Sequence, residues 1–577
     1  MRCISRAAAL AAVFALTLNG CGGGSHVPPV TAPLANQANQ RQAVVQEASA
    51  PHIVEPVLSP AGPFAVEDLG PLPASAPVKI NILLYYRNQA ALDQYVNGLQ
   101  RRGSSSFHQR LTPAQFDAEF APTAAAQAQV EAALRAQGIT VTRDYSNHTL
   151  IEASGPASAV EAFFNTKIDQ VREGAYGVRH MNVTPATAPS PLAALIRDAS
   201  LHNLDFVLHD LSTPAPPTPT PTPPALAPDD NLSPDKNPTP KPTKTPKPVK
   251  TPKPTPTPTA PPPTIAPTSP PATVAPTPTS PPTFPDCIGH PAAALNGPFT
   301  AAPIEPPYVG WFPTGVAKAF DYPTQHGCNG EGQTVAVVAG PFNPSDIATY
   351  LQKAGVTNTG SYVNVYGNNI GSIDTEGTLD VETIAGLAPA ANIRDYDVDF
   401  ALNGTDAAIS AYEQAITDGV EVVNSSFGEC EYVEDGSFAD EANQLAEQAN
   451  ALYITFNASS GDNGSTGDGC SGQPTADTPA DSPNFTAVGG LNFTDNSTTG
   501  ALTSLSGWNL SGGGVSTFFP LPEFQESQDN GGLPVASSAG RNVPDVSLPA
   551  TYAAIYDPEN YSGWTLLGGT SWACAEF

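Results

Sequence analysis

Apolar and polar positions follow regular periods in two separate stretches of this chain. In the first stretch, apolar runs predict three strands, and apolar residues three or four apart predict three helices. The strands are residues 78–86, 140–142 and 149–151, and the helices are 89–100, 124–137 and 157–164. Their order favours a ferredoxin-like α+β domain, which we place at residues 76–205.

The second stretch, residues 298–577, alternates strand-like and helix-like segments. The strands are residues 334–338, 362–365, 393–398, 421–424 and 452–456, and the helices are 345–354, 406–417 and 439–449. This alternation is typical of an α/β domain, in which a parallel sheet carries helices on both faces. Polar motifs follow several of these strands, at the edge where such sheets bind ligands.

Between the two domains, and before the first, the periodic pattern disappears. Residues 206–297 are dominated by Pro and Thr, and 64 prolines in 577 residues are too many for a single packed fold. We expect a disordered, polyproline-like linker there and a low-complexity tether at residues 22–75. The lysines between Lys241 and Lys253 could form a polyanion or membrane patch or belong to a soluble spacer, and we favour the spacer.

The first 21 residues have the pattern of an export signal. Arg2 and Arg6 flank the start of an apolar segment at residues 7–18, and residues 18–21 (Leu-Asn-Gly-Cys) resemble a bacterial lipobox. We therefore expect an extracellular or bacterial cell-surface protein, lipid-anchored through Cys21. The alternative is an ordinary cleaved signal peptide. Since no other apolar run reaches the roughly 18 residues of a membrane helix, the lipid is the only membrane contact expected.

The negative charge is concentrated in the second domain. The formal net charge is -30, and from Phe299 onward 4 Lys and Arg residues stand against 34 Asp and Glu residues, whereas the rest of the chain carries 20 of each. Such acidity argues against nucleic acid as a partner. It suits a domain that works at low pH, where protonated carboxyls no longer repel one another.

Two carboxyls four residues apart, Glu376 and Asp380, lie in a segment that predicts a short helix ending near Gly386. They share one face of that helix, either as an acidic surface turn or as two carboxyls that share a proton, one acting as a base. A base needs a nucleophile. Ser571 supplies one, since it follows an apolar strand in a Gly-Gly-Thr-Ser segment typical of peptidases.

The histidine base of an ordinary subtilisin-like peptidase is missing, because all nine histidines precede Glu331. A Gly-Thr-Ser nucleophile without histidine and with a Glu/Asp pair on a helix resembles the sedolisin family of serine-carboxyl peptidases, in particular its kumamolisin-like members with an activation prodomain. Further stretches resemble motifs of this family in the same order. They are residues 111–116 and 120–122 in the first domain and 332–337, 422–428, 459–464, 479–490, 511–514 and 541–547 in the second.

The resemblance implies a subtilisin-like fold for residues 298–577 and roles for individual residues. It makes Ser571 the nucleophile, Glu376 its base, Asp380 the partner of that base and Asp462 a protonated donor to the oxyanion, which implies action at acid pH. The residues expected to border the substrate cleft are Ser426, Phe427, Gly428, Ser460 and Gly461.

The resemblance also implies a secreted or surface-anchored endopeptidase made as a self-processing proenzyme. Its expected partners are protein or peptide substrates and its own prodomain, which acts as an intramolecular inhibitor. Three alternatives stay open: an ordinary subtilisin-like peptidase, tripeptidyl-peptidase specificity, and an inactive surface lipoprotein that keeps the fold for binding.

The cysteines show no zinc-binding spacing. We expect disulfides Cys287–Cys328 and Cys430–Cys470, with Cys574 left as a buried thiol beside the nucleophile, although four cysteines allow three pairings. The family carries a calcium site, whose ligands we expect beyond residue 577, so no metal ligand is expected in this chain. Because only six residues follow Ser571, we also expect the sequence to be truncated at its C-terminus and the 577-residue form to be inactive.

Overall fold

The computed structural model describes residues 66–204 and 310–577, with gaps at 102, 108, 174–176, 367–372, 399–403, 432–436, 468–473, 497 and 527–534. The predicted signal segment and the predicted linker at residues 206–297 therefore lie outside the described residues. So do Cys21, Cys287 and Cys470.

The N-terminal domain combines strands and helices in the order that the sequence predicts. Its elements are β1 (Val66–Pro71), β2 (Pro77–Leu84), α1 (Gln89–Gln100), α2 (Pro113–Glu119), α3 (Ala124–Ala136), β3 (Thr140–Asp144), β4 (Leu150–Pro156), α4 (Ala157–Phe164), β5 (Ile168–Glu173), β6 (Gly177–Asn182) and β7 (Ile196–Ser200).

Four of these strands form an antiparallel sheet in the order β3-β4-β2-β7. This is the strand order of a ferredoxin-like fold, so that prediction is confirmed. The end of β2 is buried on both faces: Ile82 packs in the core of its own domain, whereas Leu83 belongs to a cluster of the C-terminal domain. Burial on both sides explains why Ile82, Leu83 and Leu84 follow one another without a polar residue between them, whereas Lys79 and Asn81 alternate with apolar residues earlier in the strand.

The predicted boundary at residue 76 is placed too late. Strand β1 lies within the predicted tether and pairs with β5, so that β1, β5 and β6 form a second, three-stranded sheet. Its sequence, Val-Glu-Asp-Leu-Gly-Pro, has too few apolar residues to indicate a strand. Its partner across the sheet lies about a hundred residues away in sequence, so only the tertiary structure identifies it.

The C-terminal domain alternates strands and helices. Its elements are α5 (Pro313–Ala319), β8 (Thr334–Val337), α6 (Pro344–Ala354), β9 (Ser361–Tyr366), α7 (Thr375–Leu387), β10 (Asn392–Tyr396), α8 (Asp406–Asp418), β11 (Val422–Ser425), β12 (Glu429–Cys430), α9 (Ser437–Leu452), β13 (Thr455–Ser459), β14 (Asp477–Thr478), β15 (Thr486–Asp495), β16 (Leu502–Gly507), β17 (Gly514–Val515), β18 (Asn542–Val543), β19 (Val546–Pro549), β20 (Ala553–Asp557), α10 (Pro558–Tyr561), β21 (Gly563–Leu567) and α11 (Thr570–Glu576).

The central sheet has eight strands, seven of them in the order β16-β15-β13-β11-β8-β10-β9, with β19 pairing with β15. Its neighbours are parallel except for the pair β15 and β16. This confirms the predicted α/β fold. The strand predicted at residues 452–456 is shifted, because α9 continues to Leu452 and Tyr453 turns the chain with a φ of 69°.

Helix α7 lies at the centre of the C-terminal domain and is buried from Glu376 to Leu387. Two glycines allow its close packing. A Cβ on Gly377 would lie 2.0 Å from the carbonyl oxygen of Gly340, and a Cβ on Gly386 would lie 2.2 Å from a ring carbon of Pro313. The predicted helix is therefore correct, but burial on every side excludes the interpretation as an acidic surface turn.

Candidate active site

Helix α7 begins in a way that fixes the first of the two predicted carboxyls. Asp374 caps the helix by accepting hydrogen bonds at Oδ2 from the amides of Gly377, at 3.3 Å, and Gly340, at 3.0 Å. Glu376 then lies in the first turn and Asp380 one turn later, on the same face. Glu376 is 7% exposed and Asp380 is fully buried, so both carboxyls leave water when the domain folds.

Asp380 is held by two side chains from the strand β11 region. Asn424 Nδ2 donates to Asp380 Oδ2 at 2.8 Å, and Ser426 Oγ donates to Asp380 Oδ1 at 2.9 Å. Burial raises the pKa of Asp380 well above its ordinary value, whereas these two hydrogen bonds stabilise the ionised form and act in the opposite direction. The two hydrogen bonds therefore fix the carboxyl in position, and burial favours its protonated form.

Glu376 lies between Asp380 and the predicted nucleophile. Burial raises the pKa of Glu376 well above its ordinary value, and the nearby carboxyls of Asp380, Asp374 and Asp462 raise it further. A hydrogen bond with the Ser571 side chain lowers it. Two interacting buried carboxyls titrate as a pair, so Glu376 and Asp380 together hold at least one proton over a wide pH range.

Ser571 is the second residue of helix α11, which packs against α7 and against strands of the central sheet. The residue is fully buried, and its Oγ donates to the carbonyl oxygen of Ser426 at 3.3 Å. The hydroxyl thus lies beside both Glu376 and the chain segment that follows β11. The structure brings the predicted nucleophile and base together, although about 200 residues separate them in sequence.

Asp462 follows strand β13 and contacts the residue before the nucleophile. Its Oδ1 accepts a hydrogen bond from the amide of Thr570 at 2.7 Å and lies 2.8 Å from the Thr570 hydroxyl. The amide of Gly461 donates to the same hydroxyl at 3.1 Å. With one carboxyl oxygen held by Thr570, the other oxygen of Asp462 is free of that contact, and a protonated carboxyl in this position is able to donate.

The predicted cleft residues divide into two groups. Ser426 and Ser460 are buried and hydrogen-bonded, the second donating from Oγ to the carbonyl oxygen of Gly512 at 2.9 Å. Gly428 and Gly461 are buried backbone positions beside them. Phe427 differs, because its ring is 1% exposed and packs on Tyr412 and Phe438 in the core. Its side chain therefore does not line a cleft.

The sequence did not reveal the polar residues that orient this site. Asn457 Nδ2 donates to Asn424 Oδ1 at 3.0 Å and to the carbonyl oxygen of Cys574 at 3.0 Å, which links two strands to the helix of the nucleophile. The signal that was available is the two asparagines themselves, each followed by small residues inside otherwise apolar strands. Polar residues in a buried strand require partners, and here the partners are the Asp380 carboxyl and helix α11.

A second acid pair, Asp395 and Asp397, lies on and just after strand β10, close to the start of α7. Burial raises the pKa of Asp395 well above its ordinary value, and the charges of Asp397 and Asp374 raise it further. Burial likewise raises the pKa of Asp397 to about 7, and the neighbouring carboxyl of Asp395 acts in the opposite direction. The site thus lies in a region where carboxyls are protonated more readily than in water.

The structure describes three of the cysteines that the sequence analysis considered: Cys328, Cys430 and Cys574. Cys574 is a free, buried thiol, as predicted, and burial raises its pKa above the ordinary value. Cys328 and Cys430 each form a disulfide. Their predicted partners, Cys287 and Cys470, lie outside the described residues, so the pairings stay predictions.

The described residues include neither a cluster of metal ligands nor a helix suited to a membrane. No group of three or more His, Cys, Asp or Glu side chains there is arranged to hold a metal ion, so the implied calcium site cannot be assigned to any of them. None of the described helices has the length and apolar character needed to cross a membrane.

Comparison with known proteins connects both domains to one family. A family model described as "Pro-kumamolisin, activation domain" matches residues 65–214, and one described as "Subtilase family" matches residues 347–576. Kumamolisin from Bacillus sp. (strain MN-32) is 31% identical over 298 residues, which are 48% of this chain and 52% of that protein. Sedolisin from Pseudomonas sp. (strain 101) is 26% identical over 606 aligned positions, which cover 100% of this chain and 85% of that protein.

A solved structure of Pseudomonas sedolisin (serine-carboxyl proteinase), complexed with two molecules of pseudo-iodotyrostatin, covers 46% of this chain and 78% of its own, with 26% identity and a TM-score of 0.39. The match to kumamolisin spans about half the length of that protein. The order of the two matched segments, the two named relatives and a Glu-Asp-Ser site without histidine agree with one another. Both domains are therefore similar to parts of the sedolisin-type peptidases: a segment that matches the pro-kumamolisin activation domain is followed by one that matches the subtilase family.

Proposed function

We propose that this protein is an exported, acid-acting serine-carboxyl endopeptidase that is made as a self-processing proenzyme. The observation that supports this most is the convergence of Glu376, Asp380, Asp462 and Ser571, from three separate segments, in a site to which the sequence supplies no histidine. The similarity to kumamolisin and sedolisin supports the same assignment.

In the proposed mechanism, Glu376 removes the proton of Ser571 Oγ as the hydroxyl attacks a peptide carbonyl. Asp380, oriented by Asn424 and Ser426, shares the proton that Glu376 takes up. Glu376 then returns a proton to the leaving amine, and water hydrolyses the acyl-enzyme by the same route.

Asp462 stabilises the oxyanion that forms in each step. A carboxyl donates a hydrogen bond only when it is protonated, so this stabilisation requires acid pH. Because the Thr570 contacts fix Asp462 Oδ1, the donor is preorganised and little reorganisation is needed during the reaction.

The test is casein hydrolysis by the complete gene product between pH 3 and 8, with Ser571→Ala as the control. We expect hydrolysis only at acid pH, and none by the Ser571→Ala variant. Activity at neutral pH would favour an ordinary subtilisin-like mechanism. No Ser571-dependent activity at any pH would favour the alternative of a binding lipoprotein.

We further propose that the protein is lipid-anchored at the cell surface through Cys21, on the basis of its lipobox-like segment. Membrane fractionation with a Cys21→Ala variant checks this, since the variant is expected in the soluble fraction. Calcium is proposed from the resemblance to the sedolisin family alone, and no step of the mechanism uses it.

A further inference from the structure

The sheet of the N-terminal domain docks against helices α8 and α9 of the peptidase domain. Leu83 and Leu150 from this sheet pack in the same apolar cluster as Tyr412 of α8 and Leu445 of α9. Hydrogen bonds cross the same interface. They run from Asn81 Nδ2 to Asp406 O at 3.0 Å, from Tyr86 Oη to Gln448 Oε1 at 2.7 Å, from Tyr145 Oη to Ser410 O at 3.2 Å, and from Gln444 Nε2 to Leu84 O at 3.0 Å.

Three carboxyls of the peptidase domain are buried in this interface, and the first is Asp406 at the start of α8. Its side chain is 8% exposed, and its Oδ1 has no hydrogen-bond partner among the described residues. The groups that face it belong to the prodomain sheet: the hydroxyl of Ser200 on β7, the carboxylate of Glu152 on β4 and the ammonium of Lys79 on β2. One anion and one cation approach it, so the prodomain offers no excess of positive charge here.

Glu413 lies two turns further along α8 and is fully buried. It faces the side chain of Asn147, with Asp117 of α2 and Arg143 of β3 as the charged neighbours. Tyr86 is also close, since the charge of Glu413 raises the pKa of that phenol. Again one anion balances one cation, and burial is the main cause of the raised pKa of Glu413.

Glu447 on α9 faces helix α1 of the prodomain. Gln89 Nε2 donates to Glu447 Oε2 at 2.8 Å, and Asp93 lies beside it. Arg197 of β7 is the nearby cation, but it also lies 3.8 Å from Asp440. The charge of Glu447, like that of Glu413, raises the pKa of Tyr86. All three carboxyls thus lie against the prodomain, away from water, and the anion beside each offsets the nearby cation.

We propose that the prodomain docks with Asp406, Glu413 and Glu447 protonated, so that acid pH tightens the prodomain complex and does not release it. The inference deepens the proposed function, on which it rests. It implies that acidification allows self-cleavage while the prodomain is still seated, and that release follows cutting of the chain rather than titration of the interface.

The direction follows from the two states of these carboxyls. In the docked form, burial raises the pKa of each to about 8. On an exposed helix surface an Asp or Glu titrates near 4. Between these values the docked form binds protons that the separated form has lost, so docking is strongest below about pH 4 and weakens as the pH rises through about 8. Each group contributes up to about tenfold in affinity per pH unit within this window.

The experiment measures opening of the interface in the full chain, with Ser571→Ala present so that the linker stays intact. Hydrogen exchange in β2 and α8, corrected for the intrinsic rate at each pH, gives the opening equilibrium between pH 4 and 9. The test variant carries Asp406→Asn, Glu413→Gln and Glu447→Gln. The matched control carries Glu67→Gln, Glu119→Gln and Glu331→Gln, which remove the same number of charges at exposed positions.

We expect opening of the parent and of the control to increase at least about tenfold per pH unit between pH 6 and 8, and opening of the test variant to change less than about threefold. If the test variant does not fold, the single variant Glu447→Gln is measured in its place. Its opening should increase about tenfold less per pH unit than the opening of the parent. Greater opening of the parent at pH 4 than at pH 7, or an unchanged slope in the variants, would overturn the proposal. Since the exchange assay uses an inactive chain, its outcome is separate from that of the casein assay.

Discussion

Asn424 and Ser426 control how the buried carboxyl of Asp380 titrates. Burial favours the protonated form of Asp380, and the two hydrogen bonds favour the ionised form. The sequence alone did not predict either of these hydrogen bonds. At the scale of single residues, the pH at which Asp380 titrates therefore depends on neighbours outside the proposed catalytic set.

Removing one of these bonds should shift the pH profile. In Asn424→Ala, Asp380 loses a donor to its ionised form, so its pKa rises and the acid limb of the activity profile moves to higher pH. A hydrogen bond to a charged group is worth about 1.5–3 kcal/mol, which corresponds to roughly one to two pH units. Rates of peptide hydrolysis from pH 2.5 to 6 give the pH at which activity falls on the acid side of the profile. Asn450→Ala, which removes a bond to Asn484 outside the site, is the control and should leave the limb in place.

Asp462 allows a second test at the same scale. Asp462→Ala removes the oxyanion donor and should lower turnover by about 10²–10³. In Asp462→Asn, Oδ1 keeps the Thr570 contacts and an amide replaces the carboxyl at the donor position. Because an amide donates at any pH, this variant should retain more activity than Asp462→Ala and extend it towards neutral pH. Equal turnover and equal pH profiles in the two variants would show that Asp462 has another role.

Among the secondary-structure elements, the critical one is helix α7, which carries both Glu376 and Asp380 and has almost no free surface. Its position depends on contact with the backbone of residue 340 on one side and with Pro313 on the other. Helices buried on all sides are usually apolar, and this one carries two catalytic acids and the buried Glu382 as well. Its location therefore has to be fixed by close packing.

Substituting the glycine between the two catalytic acids tests this. In Gly377→Ala the new methyl group would lie 2.0 Å from Gly340 O, so the helix must move. We expect a loss of about 1–3 kcal/mol in the free energy of unfolding, measured with urea, and a loss of peptide hydrolysis because Glu376 moves away from Ser571. Gly507→Ala is the control, since nothing lies within 4 Å of its added Cβ. Normal activity of Gly377→Ala would show that α7 tolerates displacement.

For the molecule as a whole, the arrangement of domains determines when the site is used. The prodomain covers α8 and α9, and the chain between residues 205 and 309, which lies outside the described residues, joins it to the peptidase domain. Cutting this connection separates inhibitor and enzyme covalently. Docking by buried, protonated carboxyls then decides how long they stay together.

Self-processing should therefore cut near the end of the Pro/Thr-rich linker. We expect a new N-terminus between about residues 285 and 300 after a shift to about pH 4, because the composition changes there from extended, accessible chain to folded domain. Mass spectrometry of the products, with Ser571→Ala as the uncut control, identifies the site. A complete, folded protein that stays intact at pH 4 would contradict this prediction.

Several features were predictable from the sequence because their signals are local. The spacing of Glu376 and Asp380 places them on one helical face, the Gly-Gly-Thr-Ser segment marks Ser571, and the order of strands and helices predicts both folds. The absence of histidine after residue 326 is also a property of the sequence alone, and it excludes an ordinary triad in the second domain.

Other features depend on residues that are far apart in the chain and were decided only by the tertiary structure. Asn424 meets Asp380, Thr570 meets Asp462, and the ring of Phe427 turns into the core because the strands and helices that carry them pack together. The burial of Glu413 is another such feature, because the prodomain residues that cover it lie about 270 residues earlier in the chain. Periodicity reports which face of an element is apolar, but it carries no information about which distant element covers that face.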